Sequence, residues 1–254
     1  MHRSGLRLLY LSHENITVGL INSKDIPVEI TVHMTMKVSV VIPTINEENT
    51  IGSVISELNK IEDVEIIVVD TSSTDRTREI AKSLGATVIE QPKRGYGLAY
   101  KTGFSKCTGD IFVGIDGDNT YPAEAVKPLI DLMCINSVDF ISCDRMTLRN
   151  EKNYTMLHFV GNSVLNIFIR LLFRFRMVDS QSGMWIFNGS LYPRMKHLSD
   201  GMAFSQDLKI EAYKLGKVIE IPIKYGVRVT KPKLRTWSDG FRNLAHIFIK
   251  RVSS

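Results

Sequence analysis

The chain of 254 residues has no apolar run approaching the ~18 residues that cross a bilayer, so a membrane-spanning helix is not expected. Its three cysteines, Cys107, Cys134 and Cys143, are odd in number and lack CxxC spacing. That excludes a disulfide scaffold or zinc ribbon and leaves free thiols in a reducing compartment. There is no GxxxxGK[ST] loop, which removes a P-loop NTPase. After the first strong strand stands Pro43-Thr44-Ile45-Asn46-Glu47 rather than GxGxxG, which weakens a nicotinamide-dependent oxidoreductase. There is no internal repeat, zinc-finger spacing or helix-turn-helix pattern, and the basic residues lack interleaved aromatics, so nucleic acid is not an expected partner. At the N-terminus, Arg3 and Arg7 flank Leu8–Leu11, an apolar run too short for a signal peptide.

Charge is unevenly placed. Residues 1–144 carry 13 Lys+Arg against 20 Asp+Glu, net −7, and residues 145–254 carry 19 against 7, net +12. Carboxylates suit a metal; a basic half suits phosphates or an anionic membrane face, and ordinary solvated charge is the alternative.

From Lys37 onward apolar runs alternate with helical periodicity. Strands are expected at 38–42, 64–69, 87–89, 111–115 and 138–142, with helices at 47–60, 73–84, 95–106 and 122–135 between them. Such alternation predicts an α/β fold with a mostly parallel sheet covered on both faces, whose ligands bind at the carboxyl ends of the strands. The second half reads as a helix over 156–177, a strand at 185–187, a helix over 205–215, an edge strand at 218–223 carrying Pro222, a basic stretch over 224–235 and a last helix from about 239 to 251. Residues 1–36 match no period and are expected to be a poorly structured extension.

Several candidate site residues fall just past strand ends: Asn46 and Glu47, Asp70, and Asp116 with Asp118. In Asp116-Gly117-Asp118 two carboxylates repel each other, and a hard divalent cation, Mg2+ or Mn2+, relieves the repulsion. Gly117 permits a turn and a close backbone approach. An acidic surface turn is the competing reading. Asp70 can accept hydrogen bonds from a base or ribose, or simply serve a turn. Lys93-Arg94-Gly95-Tyr96-Gly97 precedes a helix whose N-terminus favours anions. Arg228, Lys231 and Lys233 could grip phosphate or lie in a solvated loop. The 156–177 helix, apolar with Arg170, Arg174 and Arg176 near its end, suits a membrane interface; a core or dimer helix is the alternative.

Seven stretches in order resemble glycosyltransferase family 2, the inverting GT-A fold, and within it the dolichyl-phosphate mannose and glucose synthases. They are VSVVIPTINEE (38–48), VVDTSSTDRT (68–77), KRGYG (93–97), DGDNTYPAE (116–124), DSQSGMWIF (179–187), FSQDLKIEAYKLG (204–216) and IEIPIKYGVRVTKPKL (219–234). The resemblance implies a Rossmann-like GT-A catalytic domain over 37–235 and a C-terminal amphipathic helix over 236–254. It implies that Pro43, Thr44, Glu47, Asp70, Lys93, Gly95, Gly117 and Arg145 contact a nucleotide sugar, UDP- or GDP-linked. Asp116 and Asp118 would hold Mg2+ or Mn2+ against its diphosphate, and Arg228 and Lys233 would bind phosphate. Asp179 would sit in the acceptor loop with Ser182 and Gly183. Asp118, Asp179 and Asp207 are the candidate catalytic carboxylates, either of the last two serving as base if the acceptor is a hydroxyl. The implied reaction is inverting transfer of a hexose to a polyprenyl or dolichyl phosphate by a protein peripheral on the cytoplasmic face of a membrane, possible as an oligomer. A family 2 enzyme acting on a glycan or small hydroxyl, a nucleotidyltransferase, and a non-catalytic sugar-nucleotide-binding partner are the competing readings. Asp70-Thr71 stands where an acidic pair is usual, and Thr120 where the mannose synthases often carry Gln.

Overall fold

The computed structural model describes residues 7–12, 15–20, 28–32, 36–149, 156–227 and 236–253. The chain divides into two compact units, Met1–Met36 and Lys37–Ser254. In the first, strands β1 (Arg7–Ser12), β2 (Asn15–Leu20) and β3 (Val28–Val32) form an antiparallel sheet in the order β1-β2-β3. This differs from the expectation of little structure. Ile16, Val18 and Leu20 in β2, and Val28, Ile30 and Val32 in β3, recur every second residue, a strand period that a reading of 1–36 as without period leaves out.

The second unit alternates strand and helix. It runs β4 (Val38–Thr44), α1 (Ile51–Leu58), β5 (Val64–Asp70), α2 (Thr77–Ser83), β6 (Thr87–Glu90), α3 (Tyr96–Phe104) and β7 (Ile111–Gly114). A 3-10 turn at Ala123–Ala125 leads into α4 (Val126–Ile135), followed by β8 (Phe140–Asp144) and α5 (Met156–Phe173). Then come β9 (Trp185–Asn188), a 3-10 segment Gly189–Arg194, α6 (Phe204–Leu215), β10 (Val218–Pro222) and α7 (Thr236–Ser253). The seven-stranded sheet has the order β10-β8-β9-β7-β4-β5-β6. Its pairs are parallel except those of β9, which runs antiparallel to both β7 and β8.

Val38 and Val40–Ile42 in β4, and Ile66–Val69 in β5, are buried, as continuous apolar runs covered on both faces must be. Val41, Ile67 and Val69 share one core with Tyr100 and Phe104 of α3, Trp185 and Phe187 of β9, and Phe204 and Leu208 of α6. Ile51, Val54, Ile55 and Leu58 supply the buried stripe of α1 at helical spacing. Pro43 lies inside β4 rather than stopping it. Carbonyls alternate sides along a strand: that of Val41 serves Ile115 beyond β7, and that of Thr44 serves Thr71 beyond β5. Pro43 therefore turns its missing N–H toward β7, where the β4–β7 pairing has already ended at Val41–Gly114. β10, with Pro222, is an edge strand as expected. α5 stops at Phe173 instead of 177 because Arg174 takes a left-handed φ of 64°.

Candidate active site at the carboxyl rim of the sheet

Parallel strands bring their carboxyl ends to one rim, and the candidate residues gather there. Thr44, last in β4, pairs in register with Asp70, last in β5. The Thr44 hydroxyl donates to Asp70 Oδ2 over 2.9 Å, and the Ser73 amide donates to Asp70 Oδ1 over 2.9 Å. The Ser73 hydroxyl also donates to Asp70, and Arg78 Nε lies 3.7 Å from its Oδ1. Asp70 is fully buried, so its carboxylate shapes the 70–73 turn. Glu47 is buried one turn before α1; its amide donates to the Thr77 hydroxyl over 2.8 Å. Asn46, Ser72 and Asn119 adopt left-handed φ of 52°, 56° and 58°, each just past a strand end. Three sharp turns thus shape the rim, and in sheets of this kind ligands bind in the crevice outside the carboxyl ends of the strands.

The Asp116–Asp118 turn forms the crevice's second wall. Asp118 is buried, and its Oδ1 accepts the Thr120 amide over 3.1 Å and the Thr120 hydroxyl. The left-handed residue here is Asn119, so the expectation that Gly117 makes the turn is corrected. Gly117 is needed for its missing side chain: a Cβ would stand 3.0 Å from Thr44 Cγ2 and 3.3 Å from Ile42 Cγ2. Its carbonyl accepts the Thr50 hydroxyl over 2.8 Å, tying this turn to the start of α1. Asp116 is half-buried, and its Oδ1 accepts the Tyr96 and Tyr100 hydroxyls over 3.3 and 3.5 Å. Burial and nearby negative groups, Asp116 among them, push both phenols well above their ordinary range, so they remain donors at any working pH.

Two carboxylates on one strand end are hard oxygen donors. Among the described residues no group of three or more His, Cys, Asp or Glu gathers round a common point. The pair fits Mg2+ or Mn2+, which accept one or two carboxylates and complete their shell with phosphate oxygens and water. It does not fit a structural zinc site.

Loop 179–183 closes the crevice from the β8–β9 side. Asp179 is fully buried and meets Arg145 in a fork: Nε–Oδ2 2.7 Å and Nη2–Oδ1 2.9 Å. The Arg145 amide, Asn162 and the Gln181 amide also donate to it. Burial raises the carboxyl, but the Arg145 charge and these donors outweigh it and hold Asp179 below its usual range. The buried Lys209 ammonium donates to the Asp179 carbonyl, and burial pulls it down to about 8. Burial raises the Glu220 carboxyl, which accepts the Val178 and Asp179 amides. Tyr121 accepts the Gly183 amide over 2.6 Å and stacks edge-on with Tyr225, whose ring lies under the Arg145 guanidinium at 5.4 Å.

Other candidates lie elsewhere or turn out differently. Lys93 is exposed, and Gly95 caps α3. The expected anion seat at that helix N-terminus is already taken: the Gly97 and Leu98 amides donate to the Gly201 and Asp200 carbonyls over 3.2 and 3.0 Å. Asp207 is fully buried in α6; its Oδ2 accepts the Ser199 amide over 2.9 Å and lies 2.8 Å from His246 Nε2. Arg228, Lys231 and Lys233 lie outside the described residues; the chain reaches them from Gly226, whose amide donates to the Thr120 carbonyl over 2.7 Å. Sequence reasoning missed Tyr96, Tyr100, Tyr121, Tyr225, Lys209 and Glu220. All but Tyr100 stand inside the quoted stretches, which was their only signal in the sequence.

The model of glycosyltransferase family 2 matches residues 39–193, more than half of the chain. A low-salt glycan biosynthesis hexosyltransferase of Haloferax volcanii is 34% identical over 220 residues, which cover 83% of this chain and 53% of that protein. The chain thus spans about half the length of that relative. A dolichyl-phosphate hexose transferase of the same organism is 32% identical, covering 80% of this chain and 88% of the relative. A dolichol-phosphate mannosyltransferase of Pyrococcus furiosus is 28% identical, covering 84% and 63%. Among solved structures, glucosyl-3-phosphoglycerate synthase of Mycobacterium tuberculosis, in complex with Mn2+, UDP and glucosyl-3-phosphoglycerate, superposes with a TM-score of 0.66 at 22% identity, covering 86% of this chain and 81% of that one. That likeness supports the GT-A fold. Sequence match, sheet order and rim together make the chain a member of glycosyltransferase family 2.

Proposed function

We propose that this chain moves a hexose from a nucleoside-diphosphate sugar to a polyprenyl (dolichyl) phosphate, working peripherally at the cytoplasmic face of a membrane. The observation that carries the donor half is the Asp116–Asp118 turn, whose Gly117 packs against Thr44, the register partner of Asp70 at the rim. Asp116 and Asp118 would hold a Mg2+ or Mn2+ ion, which would supply charge stabilisation to the departing diphosphate. Tyr96 and Tyr100 fix the orientation of Asp116 through their hydroxyls.

The lipid half is supported by an exposed apolar stripe. Met156, Val160, Val164, Ile167 and Leu171 repeat along one side of α5, and Phe248, Ile249 and Val252 extend it on α7. Phe168 and Phe248 meet edge-on at 5.6 Å and join the two helices. The other side of α5 is buried through Leu165, Ile169 and Phe173. A contiguous apolar patch of this kind marks a docking surface. Arg170 and Arg176, with Met177 and Val178, line an open surface depression, and their two cations suit a lipid phosphate. Among the described residues no helix is long and apolar enough to cross a membrane, so the stripe serves an interfacial pose.

A phosphate monoester has its second pKa near ~6 and is largely ionised at pH 7, so the nucleophile needs little help from a base. Asp179, forked to Arg145 and held ionised, then orients the acceptor side of the crevice. Attack opposite the leaving diphosphate inverts the anomeric carbon. The test is incubation with UDP- and GDP-hexoses, Mn2+ and a short polyprenyl phosphate in detergent, followed by mass spectrometry. A lipid-linked hexose phosphate is expected. Sugar passing only to water or to soluble hydroxyls would overturn the reading.

A further inference from the structure

Helix α7 turns two different sides to its surroundings. Phe248, Ile249 and Val252 are exposed, while Asn243 and Lys250 are buried. The inward side is a polar ladder. Lys250 Nζ donates to the Lys196 and His197 carbonyls over 2.6 and 3.2 Å and lies 3.0 Å from Glu211. His246 meets Asp207, and one turn earlier Asn243 closes a ring of amides. Its Nδ2 donates to Gln181 Oε1 over 2.9 Å, Gln181 Nε2 donates to Gln206 Oε1 over 2.9 Å, and Gln206 Nε2 returns to the Asn243 backbone carbonyl over 3.0 Å.

The ring has only one workable direction. A backbone carbonyl can only accept, so it fixes which end of the Gln206 amide faces it. Gln206 then presents oxygen to Gln181, which must answer with its NH2 group. Gln181 in turn presents oxygen to Asn243, and position 243 must supply a donor. No flip of either glutamine repairs the ring once that donor is lost. Gln181 is the middle residue of loop 179–183, between Asp179, forked to Arg145, and Gly183, next to Asp116.

We propose that Asn243 and Gln206 are positioning residues: through the amide ring, α7 sets the shape of loop 179–183 and so the acceptor side of the crevice. The kinetic consequence rests on the lipid-phosphate reading above; the effect on the loop itself does not.

The test uses the full chain with Asn243→Asp, which keeps the size of the side chain and replaces the donor by an acceptor, alongside Gln181→Ala and the double variant. Hydrogen exchange read by mass spectrometry should be faster by about tenfold in 179–183, with α6 unchanged. The double variant should exchange no faster than Gln181→Ala alone. With polyprenyl phosphate, KM for the acceptor should rise about tenfold while KM for the nucleotide sugar stays within twofold. Where Asn243→Asp lowers Tm by more than a few degrees, Gln206→Leu carries the same comparison. Unchanged exchange in 179–183, or effects of the two sites that multiply, would overturn the proposal. Absence of any transfer to lipid phosphate, with the exchange pattern as expected, would instead overturn the reading of the acceptor.

Discussion

Gly183 stands so close to Asp116 that a Cβ at position 183 would lie 3.1 Å from one carboxylate oxygen and 2.5 Å from the Tyr96 hydroxyl. The loop after Asp179 and the acidic turn after β7 are therefore fitted to each other without room for a methyl group.

Gly183→Ala tests that fit. The added methyl must displace Tyr96 or Asp116, and overpacking of this kind costs about 1–3 kcal/mol. Sugar transfer should fall more than tenfold while the fold survives, as read by circular dichroism. An active Gly183→Ala variant with wild-type kcat would show that the loop moves away from Asp116 during turnover.

The Arg145–Asp179 fork predicts a strong asymmetry between single and double variants. The Asp179 side chain is 0% exposed and that of Arg145 is 12% exposed. Arg145→Met leaves a buried carboxylate without its main counter-charge, which costs about 3–5 kcal/mol. Arg145→Met with Asp179→Leu should recover much of that loss. Urea denaturation checks both, and additive losses would contradict the account.

How much of this was legible beforehand differs from element to element. The β4 and β5 runs were readable because a strand covered on both faces is continuously apolar, and the acidic residues past their ends marked the rim. The inward side of α7 was not readable. Asn243, His246 and Lys250, spaced by three and four, look like the solvated side of an amphipathic helix, since periodicity assumes that polar residues face water. Here their partners Gln181, Gln206, Asp207 and Glu211 come from distant segments, and no local pattern shows that. Lys209 was hidden for the same reason: its partner is the Asp179 carbonyl.

His246 predicts a pH dependence with a definite sign. The hydrogen bond to Asp207 raises its pKa above the ordinary value of 6.5; burial and Lys250 work against the rise. A group whose folded pKa is raised contributes stability that is full below its unfolded pKa and fades as pH climbs through the folded value. The stability difference between wild type and His246→Gln should therefore be larger at pH 5.5 to 6 than at pH 8.5, as measured by urea midpoints. A difference independent of pH would contradict this.

The α5 stripe predicts a separation of membrane binding from folding. Leu171 is 70% exposed and Ile167 56%, so Leu171→Asp and Ile167→Asp remove little buried contact and should leave Tm within a few degrees. Both should abolish co-sedimentation with anionic vesicles. Sedimentation that persists would place the lipid-facing surface elsewhere.

The most direct test of the central claim is calorimetric titration of UDP and GDP, with and without Mn2+, into wild type and Asp118→Asn. Asparagine keeps an oxygen for the Thr120 amide and hydroxyl, so the turn is preserved while one negative charge is lost. The account predicts that Mn2+ tightens nucleotide binding to the wild type at least tenfold and that Asp118→Asn loses this gain while keeping its fold. Equal Mn2+ enhancement in both proteins would contradict it.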